Sequence, residues 1–395
     1  MQRTVDRYVG TLLCRLFSLL PFGRPRVDTK PKRILIILLS EMGSLVLAYP
    51  MMKYLTERYP SAELYALVFN KNREVLDLLE IVKKTNVLTI RADSTVRFFH
   101  DSAKTIYKLR MIGVDLVIDC ELFARVTSLI SLFSGAPVKV GFHPYNQEGL
   151  YRGDFIDRPV PYNPYLHISR QFLNLAYAVE GHTVPNSKQP FSTKPLVVSQ
   201  KQFSASEVNS YSAKLKLDFP QIRERRLVLV YPSGGILSIR AWPVDKFCQL
   251  CTALEKDGFL VGVIGLQSDQ ILGQQIVESA GSEFCINLTG YTQTIHELLL
   301  LFRQAELLVT NDGGPGHFGA LVDIPSIVLF GPESPQLYKP ISSNVFCFYN
   351  QLACSPCLTA FNHRDSPCDG DNQCLKRISL QEVLDKSRSM LAITR

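Results

Sequence analysis

A glycine-rich turn in the C-terminal third of the chain contains the residues best suited to chemistry. It reads Thr-Asn-Asp-Gly-Gly-Pro-Gly-His over positions 310–317 and follows an apolar run at 306–309. This pattern predicts a strand, a turn and the start of a helix, where free N–H groups and a partial positive charge favour a phosphate. Small residues would let the backbone approach such a ligand closely. From these residues alone, the alternative is an ordinary strand-to-helix turn that needs glycine only for its geometry.

A second apolar run, at 326–330, stops at Gly331 and Pro332. Because the carboxyl ends of parallel strands meet at one edge of a sheet, both turns are expected to face the same ligand-binding crevice. The predicted ligand contacts therefore come from both turns: Asn311, Asp312, Gly313, Gly314, His317 and Gly331.

The composition is that of an ordinary globular protein with enough residues for two domains. The chain has 395 residues, of which 46% are apolar and 20% are charged, so a sizeable core is expected. Its formal net charge of +7 favours anionic partners such as nucleotide phosphates or an acidic membrane surface. Basic residues are not interleaved with aromatic residues in any run, so we expect no nucleic-acid partner.

Apolar runs alternate with helical periodicities along the chain. This alternation predicts two successive α/β domains, each with a parallel sheet and helices on both faces. The strands are predicted at 32–39, 62–69, 86–90, 115–119, 138–142, 227–231, 260–265, 284–287, 307–310 and 326–330. Between the two series, we expect an irregular surface at 143–163 and part of the linker at 185–198.

The first 30 residues form a distinct segment. Apolar residues recur there at helical spacing, at Val5, Val9, Leu12, Leu13, Leu16, Leu19 and Leu20. The run is too short and too charged to span a bilayer, so we expect an amphipathic helix on a membrane surface. A signal peptide is the first alternative, but Arg15 interrupts the apolar stretch and no cleavage site follows. A helix packed on the protein itself is the second.

Four cysteines have the spacing C-x2-C-x10-C-x5-C: Cys354, Cys357, Cys368 and Cys374. Four thiolates could bind a structural zinc ion. The second pair lacks the short spacing of a zinc ribbon, so we favour a loop of reduced thiols. No other ligand cluster is evident, and no catalytic metal is expected.

Several motifs, taken in their order along the chain, resemble glycosyltransferase family 9, the lipopolysaccharide heptosyltransferases. Asn311, Asp312, Gly314 and His317 match its Thr-Asn-Asp-(Ser/Gly)-Gly-x-x-His pattern. Further matches are Phe330-Gly331-Pro332 with Pro335, the segments at 34–44, 232–235 and 240–243, and the cysteine-bearing loop. Together they cover most of 31–395.

The resemblance implies a GT-B fold, in which two Rossmann-like domains face each other across a cleft. The expected divisions are a membrane-surface helix at 1–30, an acceptor domain at 31–190, a nucleotide-sugar domain at 191–378 and a closing helix at 379–395. The implied activity is inverting transfer of a heptose or related sugar from a nucleotide-diphosphate donor to lipopolysaccharide or another cell-surface glycan. The expected location is the inner face of the bacterial cytoplasmic membrane, with a lipid-linked acceptor and no cofactor.

The resemblance also implies roles for individual residues. Arg240 aligns with a phosphate-contacting lysine of the family, and an arginine there can bind two oxygens at once. The family places its catalytic base, an aspartate, directly after the glycine of the first loop, where this chain has Ser44 after Gly43. A serine hydroxyl is too weak a base, so Glu41 in the same loop is the predicted replacement.

The residues expected on the acceptor side are Gly43, Ser44, Asp119 and Arg125.

Two alternatives remain open for the function of the whole chain. One is a nucleotide-sugar epimerase of the same fold. The other is a non-catalytic protein that binds a sugar nucleotide, which the missing aspartate favours.

Overall fold

The computed structural model describes residues 2–20, 30–39, 41–143, 151–181, 185, 188, 194–362 and 365–393. The chain divides into two compact units, Met1–Leu196 and Val197–Arg395. Each unit contains a six-stranded sheet in which all described strand pairs are parallel. The α/β class predicted from the alternating pattern is therefore confirmed.

In the first unit, the strand order is β3-β2-β1-β4-β5-β6. The central strands are buried on both faces, which explains why they read as continuous apolar runs. The strands are β1 (Arg33–Ile37), β2 (Glu63–Phe69), β3 (Val87–Ile90), β4 (Leu116–Asp119), β5 (Val138–Phe142) and β6 (Arg158–Val160). The helices are α1 (Gln2–Val5), α2 (Thr11–Ser18), α3 (Met42–Arg58), α4 (Arg73–Leu79), α5 (Thr95–Ile112), α6 (Arg125–Phe133) and α7 (Ile168–Ala178). A π-helical turn, Asp6–Gly10, joins α1 to α2.

In the second unit, the strand order is β12-β11-β10-β7-β8-β9. The strands are β7 (Leu227–Tyr231), β8 (Leu260–Gly265), β9 (Cys285–Thr289), β10 (Ala305–Asn311), β11 (Ser326–Phe330) and β12 (Val345–Tyr349). The helices are α8 (Ala205–Asp218), α9 (Val244–Lys256), α10 (Gln270–Ala280), α11 (Ile295–Phe302), α12 (Gly314–Gly319), α13 (Pro335–Tyr338), α14 (Gln373–Lys376) and α15 (Leu380–Ile393). Helix α15 packs on α9 and β10 and contributes to the same core as Trp242.

The ten predicted strands are present, but the prediction for 143–163 is wrong. This segment contains β6, which pairs with β5 in the register Val140↔Arg158, and it buries Arg152 and Phe155. A three-residue edge strand with a central proline has no periodicity that a sequence pattern could reveal. Residues 144–150 and half of the predicted linker at 185–198, namely 186–187 and 189–193, lie outside the described residues.

The N-terminal helical segment, residues 2–18, packs one of its faces on α6. The Asp6 carboxylate accepts the backbone N–H groups of Arg125 at 3.1 Å and Val126 at 2.8 Å, so it caps the first turn of α6. Cys14 is fully buried, and the rings of Phe17 and Phe133 meet edge to face at 5.0 Å. One face of this segment therefore packs on the protein, as in the second alternative raised for it.

The opposite face of the N-terminal segment is apolar and exposed. Leu12 and Leu16 are 67% and 55% exposed, and Leu19 beyond the helix end is 81% exposed. Within the described parts of the chain, no helix combines the length and apolar character needed to cross a membrane.

Candidate active site

Asn311, the last residue of β10, holds together the loops around the glycine-rich turn. Its side-chain amide donates to the carbonyl oxygens of Pro232 at 2.9 Å and Ser233 at 3.3 Å, and its Oδ1 accepts the backbone N–H of Trp242 at 3.0 Å. The residue is completely buried. We predicted that Asn311 would contact the donor, but this burial favours a scaffolding role that positions the loop bearing Arg240.

Arg240 lies in a short 3-10 turn, Ser238–Arg240, and its side chain points to two carboxylates. Its Nη2 is 2.8 Å from Oε1 of Glu333, and its Nε is 3.9 Å from Oδ2 of Asp312. All three side chains are at most 11% exposed. Sequence reasoning assigned no role to Glu333, which follows Gly331-Pro332 after β11. The only feature of the sequence that could have indicated Glu333 is its position shortly after a predicted strand, which places it at the same sheet edge.

The three groups of this cluster perturb one another. Burial disfavours the charge on Arg240, but the Glu333 and Asp312 carboxylates outweigh this effect and raise the pKa of Arg240. Burial raises the pKa of Asp312, against the opposing influence of Arg240. Burial and the nearby Asp312 charge raise the pKa of Glu333 to about 8. The guanidinium therefore stays charged, whereas one of the two carboxylates favours its protonated form near neutral pH.

The two glycines of the turn differ in their surroundings. A Cβ placed on Gly313 would lie no closer than 3.9 Å to any neighbouring atom, whereas one on Gly314 would lie 3.2 Å from Cε2 of Phe318. The Asp312 N–H bonds to the Leu329 carbonyl at 3.0 Å. Helix α12 has only six residues, with His317 buried inside it, so it is too short to supply the helix-terminus field expected from the sequence. A phosphate at this turn would depend on local N–H groups and Arg240.

Gly331 is tightly packed against the C-terminal part of the chain. A Cβ at this position would lie 2.5 Å from Cγ of Leu375 in α14, the short helix that ends the loop with the four cysteines. That loop is anchored under the turn by hydrogen bonds from the Ser355 hydroxyl to the Gly331 carbonyl at 2.6 Å and from the Cys357 N–H to the Pro332 carbonyl at 3.0 Å. The packing therefore gives Gly331 a structural role, and its contact with the donor stays a prediction.

The cysteines of that loop are free thiols: Cys354 and Cys368 are exposed, Cys357 is half-buried and Cys374 is buried. Among the described residues, His, Cys, Asp and Glu form no group of three or more that could hold a metal ion.

In the first unit, the predicted base lies at the start of α3. Glu41 directly precedes the helix and is exposed, Gly43 is buried, and Ser44 is half-buried. The Ser44 N–H donates to the Glu41 carbonyl at 3.1 Å. Ser40, which links this turn to β1, lies outside the described residues. The assignment of Glu41 as the base stays a prediction.

Asp119 and Arg125, predicted as acceptor-side groups, are both engaged within the protein. The Asp119 carboxylate pairs with the guanidinium of Arg152, which is 0% exposed, and accepts the Glu121 N–H at 3.1 Å. Arg125 is also buried, where it packs on Gly10 of the N-terminal segment and donates to the Phe123 carbonyl at 3.0 Å. These contacts disfavour an acceptor-side role for either residue.

Comparison with known proteins identifies the family. The model of glycosyltransferase family 9 (heptosyltransferase) matches residues 103–365. Lipopolysaccharide heptosyltransferase 2 of Salmonella typhimurium is 28% identical over 204 residues, which are 50% of this chain and 55% of that protein. The corresponding protein of Escherichia coli K12 is 24% identical over 270 residues, which are 67% of this chain and 72% of that protein. The chain therefore spans just over half the length of the first of these relatives.

Solved structures share the fold. The structure of E. coli ADP-heptose lipopolysaccharide heptosyltransferase II aligns with a TM-score of 0.72 at 21% identity, over 92% of this chain and 99% of that chain. A family 9 glycosyltransferase from Veillonella parvula aligns with a TM-score of 0.70 at 19% identity, over 91% and 97%. The predicted GT-B fold class is thereby confirmed. Because the family model covers more than half of its length, this chain belongs to glycosyltransferase family 9.

Proposed function

We propose that the chain is an inverting glycosyltransferase that moves a heptose or related sugar from a nucleotide-diphosphate donor to lipopolysaccharide or another cell-surface glycan. The observation that most supports this proposal is the buried cation at the carboxyl edge of the second sheet. Within the described residues, Nε of Arg240 and Oδ2 of Asp312 are buried without hydrogen-bond partners. Buried polar atoms normally have partners, so these two are suited to a polar ligand. ADP-heptose is the proposed donor, since the similar E. coli enzyme is described with that substrate.

In this proposal, the second unit stabilises the leaving group. Negative charge builds up on the diphosphate as its bond to the anomeric carbon breaks, and preorganised donors lower the energy of that state. Arg240 supplies a permanent cation with two parallel N–H donors. The backbone N–H groups of Gly313 and Gly314 supply further donors, because Gly313 has open space where a side chain would project.

The first unit is proposed to supply the base. The acceptor oxygen attacks the anomeric carbon on the face opposite the diphosphate, which leaves with the bonding electron pair. Glu41 takes the hydroxyl proton of the acceptor during this step, because Ser44 has no basic atom for that task. The single displacement inverts the anomeric centre and needs neither a cofactor nor a metal ion.

A transfer assay tests the proposal. The purified chain is incubated with ADP-heptose and heptose-free lipopolysaccharide, and products are followed by mass spectrometry. A mass increase of one heptose on the lipid, with release of ADP, is the expected result. An epimerised sugar without an elongated acceptor would support the epimerase alternative. Saturable donor binding without turnover on any acceptor of a panel would support the non-catalytic alternative.

We further propose that the chain works at the cytoplasmic face of the membrane, as a peripheral protein on anionic lipid. The exposed leucines of the N-terminal segment, together with the exposed Arg7 and Arg15, have the composition of an interfacial helix. Helix α5 has a second exposed apolar stripe, with Val96 at 78%, Phe99 at 55%, Tyr107 at 66% and Met111 at 72% exposure.

Helix α5 also has the charge that anionic lipid would attract. Arg97, Lys104 and Lys108 flank its apolar stripe and are exposed. Helix α6 contacts both α5 and the N-terminal segment, so the two surfaces belong to one helical layer. Basic residues near an anionic membrane contribute about 1 kcal/mol each to binding.

Sedimentation with phosphatidylglycerol vesicles tests the part played by α5. Replacing Phe99 and Met111 together with Asp is expected to lower binding at least tenfold, because each buried apolar side chain contributes about 1.5–3 kcal/mol. Ile271→Asp, at an even more exposed apolar position of the second unit, is the control and should bind as the unmodified chain does. Equal binding by the α5 double variant and the control would exclude α5 from the surface.

A further inference from the structure

The cluster around Arg240 has one more acid than it has bases. Two carboxylates, Asp312 and Glu333, face one guanidinium, and all three side chains are at most 11% exposed. If both acids were ionised, the formal charge of the cluster would be −1. The proposed diphosphate would then approach a site that repels it, in surroundings where water screens charges poorly.

A proton on one acid removes this conflict. With Glu333 protonated, the cluster is neutral, and Arg240 is free to attract an anionic ligand. Glu333 is the acid that contacts Arg240 directly, 2.8 Å from Nη2, whereas Asp312 lies 3.9 Å from Nε, so a proton on Glu333 releases the guanidinium from its nearer acid. Burial and the neighbouring Asp312 carboxylate also raise the pKa of Glu333 to about 8. The proton comes from solvent and returns there when the ligand leaves.

Other titratable groups surround this cluster on the neighbouring elements. Tyr338 of α13 interacts electrostatically with Arg240. Cys347 of β12 interacts in the same way with Asp312 and with Lys339. Burial raises the pKa of Cys347 to about 12 and that of Cys374 in α14 to about 11, so both stay protonated where Glu333 titrates. His317 is buried in α12.

We propose that Glu333 is a positioning residue that couples donor binding to proton uptake: it holds a proton while the diphosphate occupies Arg240, and its ionisation expels the donor. This inference rests on the proposed function, because it assumes that a nucleotide-diphosphate sugar binds at Arg240. The coupling is reciprocal, so the bound donor in turn raises the affinity of Glu333 for its proton.

The sign of the pH dependence follows from this coupling. Below the pKa of about 8, Glu333 is already protonated, and the dissociation constant of the donor should be independent of pH. Above it, each binding event must first take up a proton, so the dissociation constant should rise by up to about tenfold per pH unit. It levels off once the pH exceeds the higher pKa of the donor-bound state.

Isothermal titration calorimetry with ADP-heptose tests the coupling. This ligand is useful because its diphosphate is a diester that does not titrate in this range. Titrations run from about pH 7 to about pH 9.5, each in buffers of different ionisation enthalpy, so that the protons taken up are counted directly. We expect uptake that is small near pH 7 and approaches one proton per donor above pH 8.

Glu333→Gln keeps the size and hydrogen-bonding capacity of a protonated glutamate but cannot ionise. The variant should bind ADP-heptose at every pH with the affinity that the unmodified chain shows at pH 7, and without proton uptake. Glu283→Gln, at an exposed position before β9, is the matched control and should retain the full pH dependence.

Three results would overturn the proposal, and they are distinguishable. Tight ADP-heptose binding with no pH dependence and no proton uptake refutes the coupling but leaves the donor assignment intact. Proton uptake that persists in Glu333→Gln assigns the proton to another group. No binding at any pH refutes the proposed donor and, with it, this inference. If Glu333→Gln does not fold, the proton count on the unmodified chain still decides between coupling and its absence.

Discussion

Replacing Gly313 with valine tests most directly whether a donor binds at the glycine-rich turn. The backbone at Gly313 is extended, with a φ of 171°, so a residue with a side chain can adopt it. The nearest atoms to an added Cβ are the Asn311 carbonyl oxygen at 3.9 Å and Cδ of Pro315 at 4.0 Å. The new side chain would therefore occupy the open space proposed for the diphosphate.

The expected effect separates binding from folding. A glycine replaced without strain changes stability by about 0.4–1 kcal/mol, generally in the favourable direction. A donor held away from the turn loses at least one charge-assisted hydrogen bond, which is worth about 1.5–3 kcal/mol. Gly313→Val should thus weaken ADP-heptose binding by about 10- to 150-fold, with no loss of thermal stability.

Gly314→Val is the informative comparison. Its Cβ would lie 3.2 Å from the Phe318 ring, so this variant should also weaken donor binding but at a cost in folding of about 1–3 kcal/mol. That cost lowers the melting temperature by about 2–4 °C per kcal/mol in a unit of this size. Calorimetric titration with ADP-heptose measures the donor affinity of both variants, and thermal melts without ligand measure their stability. Unchanged ADP-heptose affinity in Gly313→Val would refute the assignment of the donor to this turn.

Three further outcomes are expected. Glu41→Gln should lower transferase turnover by about 10²–10⁴-fold with donor affinity unchanged, and undiminished turnover would remove Glu41 as the base. Arg152→Met should lower the free energy of unfolding by about 3–5 kcal/mol in urea titrations, because it strands a buried carboxylate, and a loss below about 1 kcal/mol would contradict that account. Replacing Leu12, Leu16 and Leu19 with Asp should release the chain from phosphatidylglycerol vesicles into the supernatant. If the unmodified chain does not bind such vesicles, the membrane proposal is wrong.

Sequence reasoning succeeded where the structure repeats a local pattern. The β7 strand, Leu227–Tyr231, and helix α9, Val244–Lys256, begin and end where their apolar patterns do. It missed β6, a three-residue strand with a central proline, and β12. Helix α7, Ile168–Ala178, was also not predicted.

The residues of the candidate site also divide into those that the sequence identified and those that only the structure placed. The sequence by itself identified the glycine-rich turn, Arg240 and the family, because these depend on residue types at short spacings. Only the tertiary structure placed Glu333 at 2.8 Å from Arg240, which lies 93 positions earlier in the chain, and showed that Asn311 is completely buried. Burial and long-range pairing arise when strands from distant parts of the chain meet at one sheet edge, and no local pattern records which side chains then face each other.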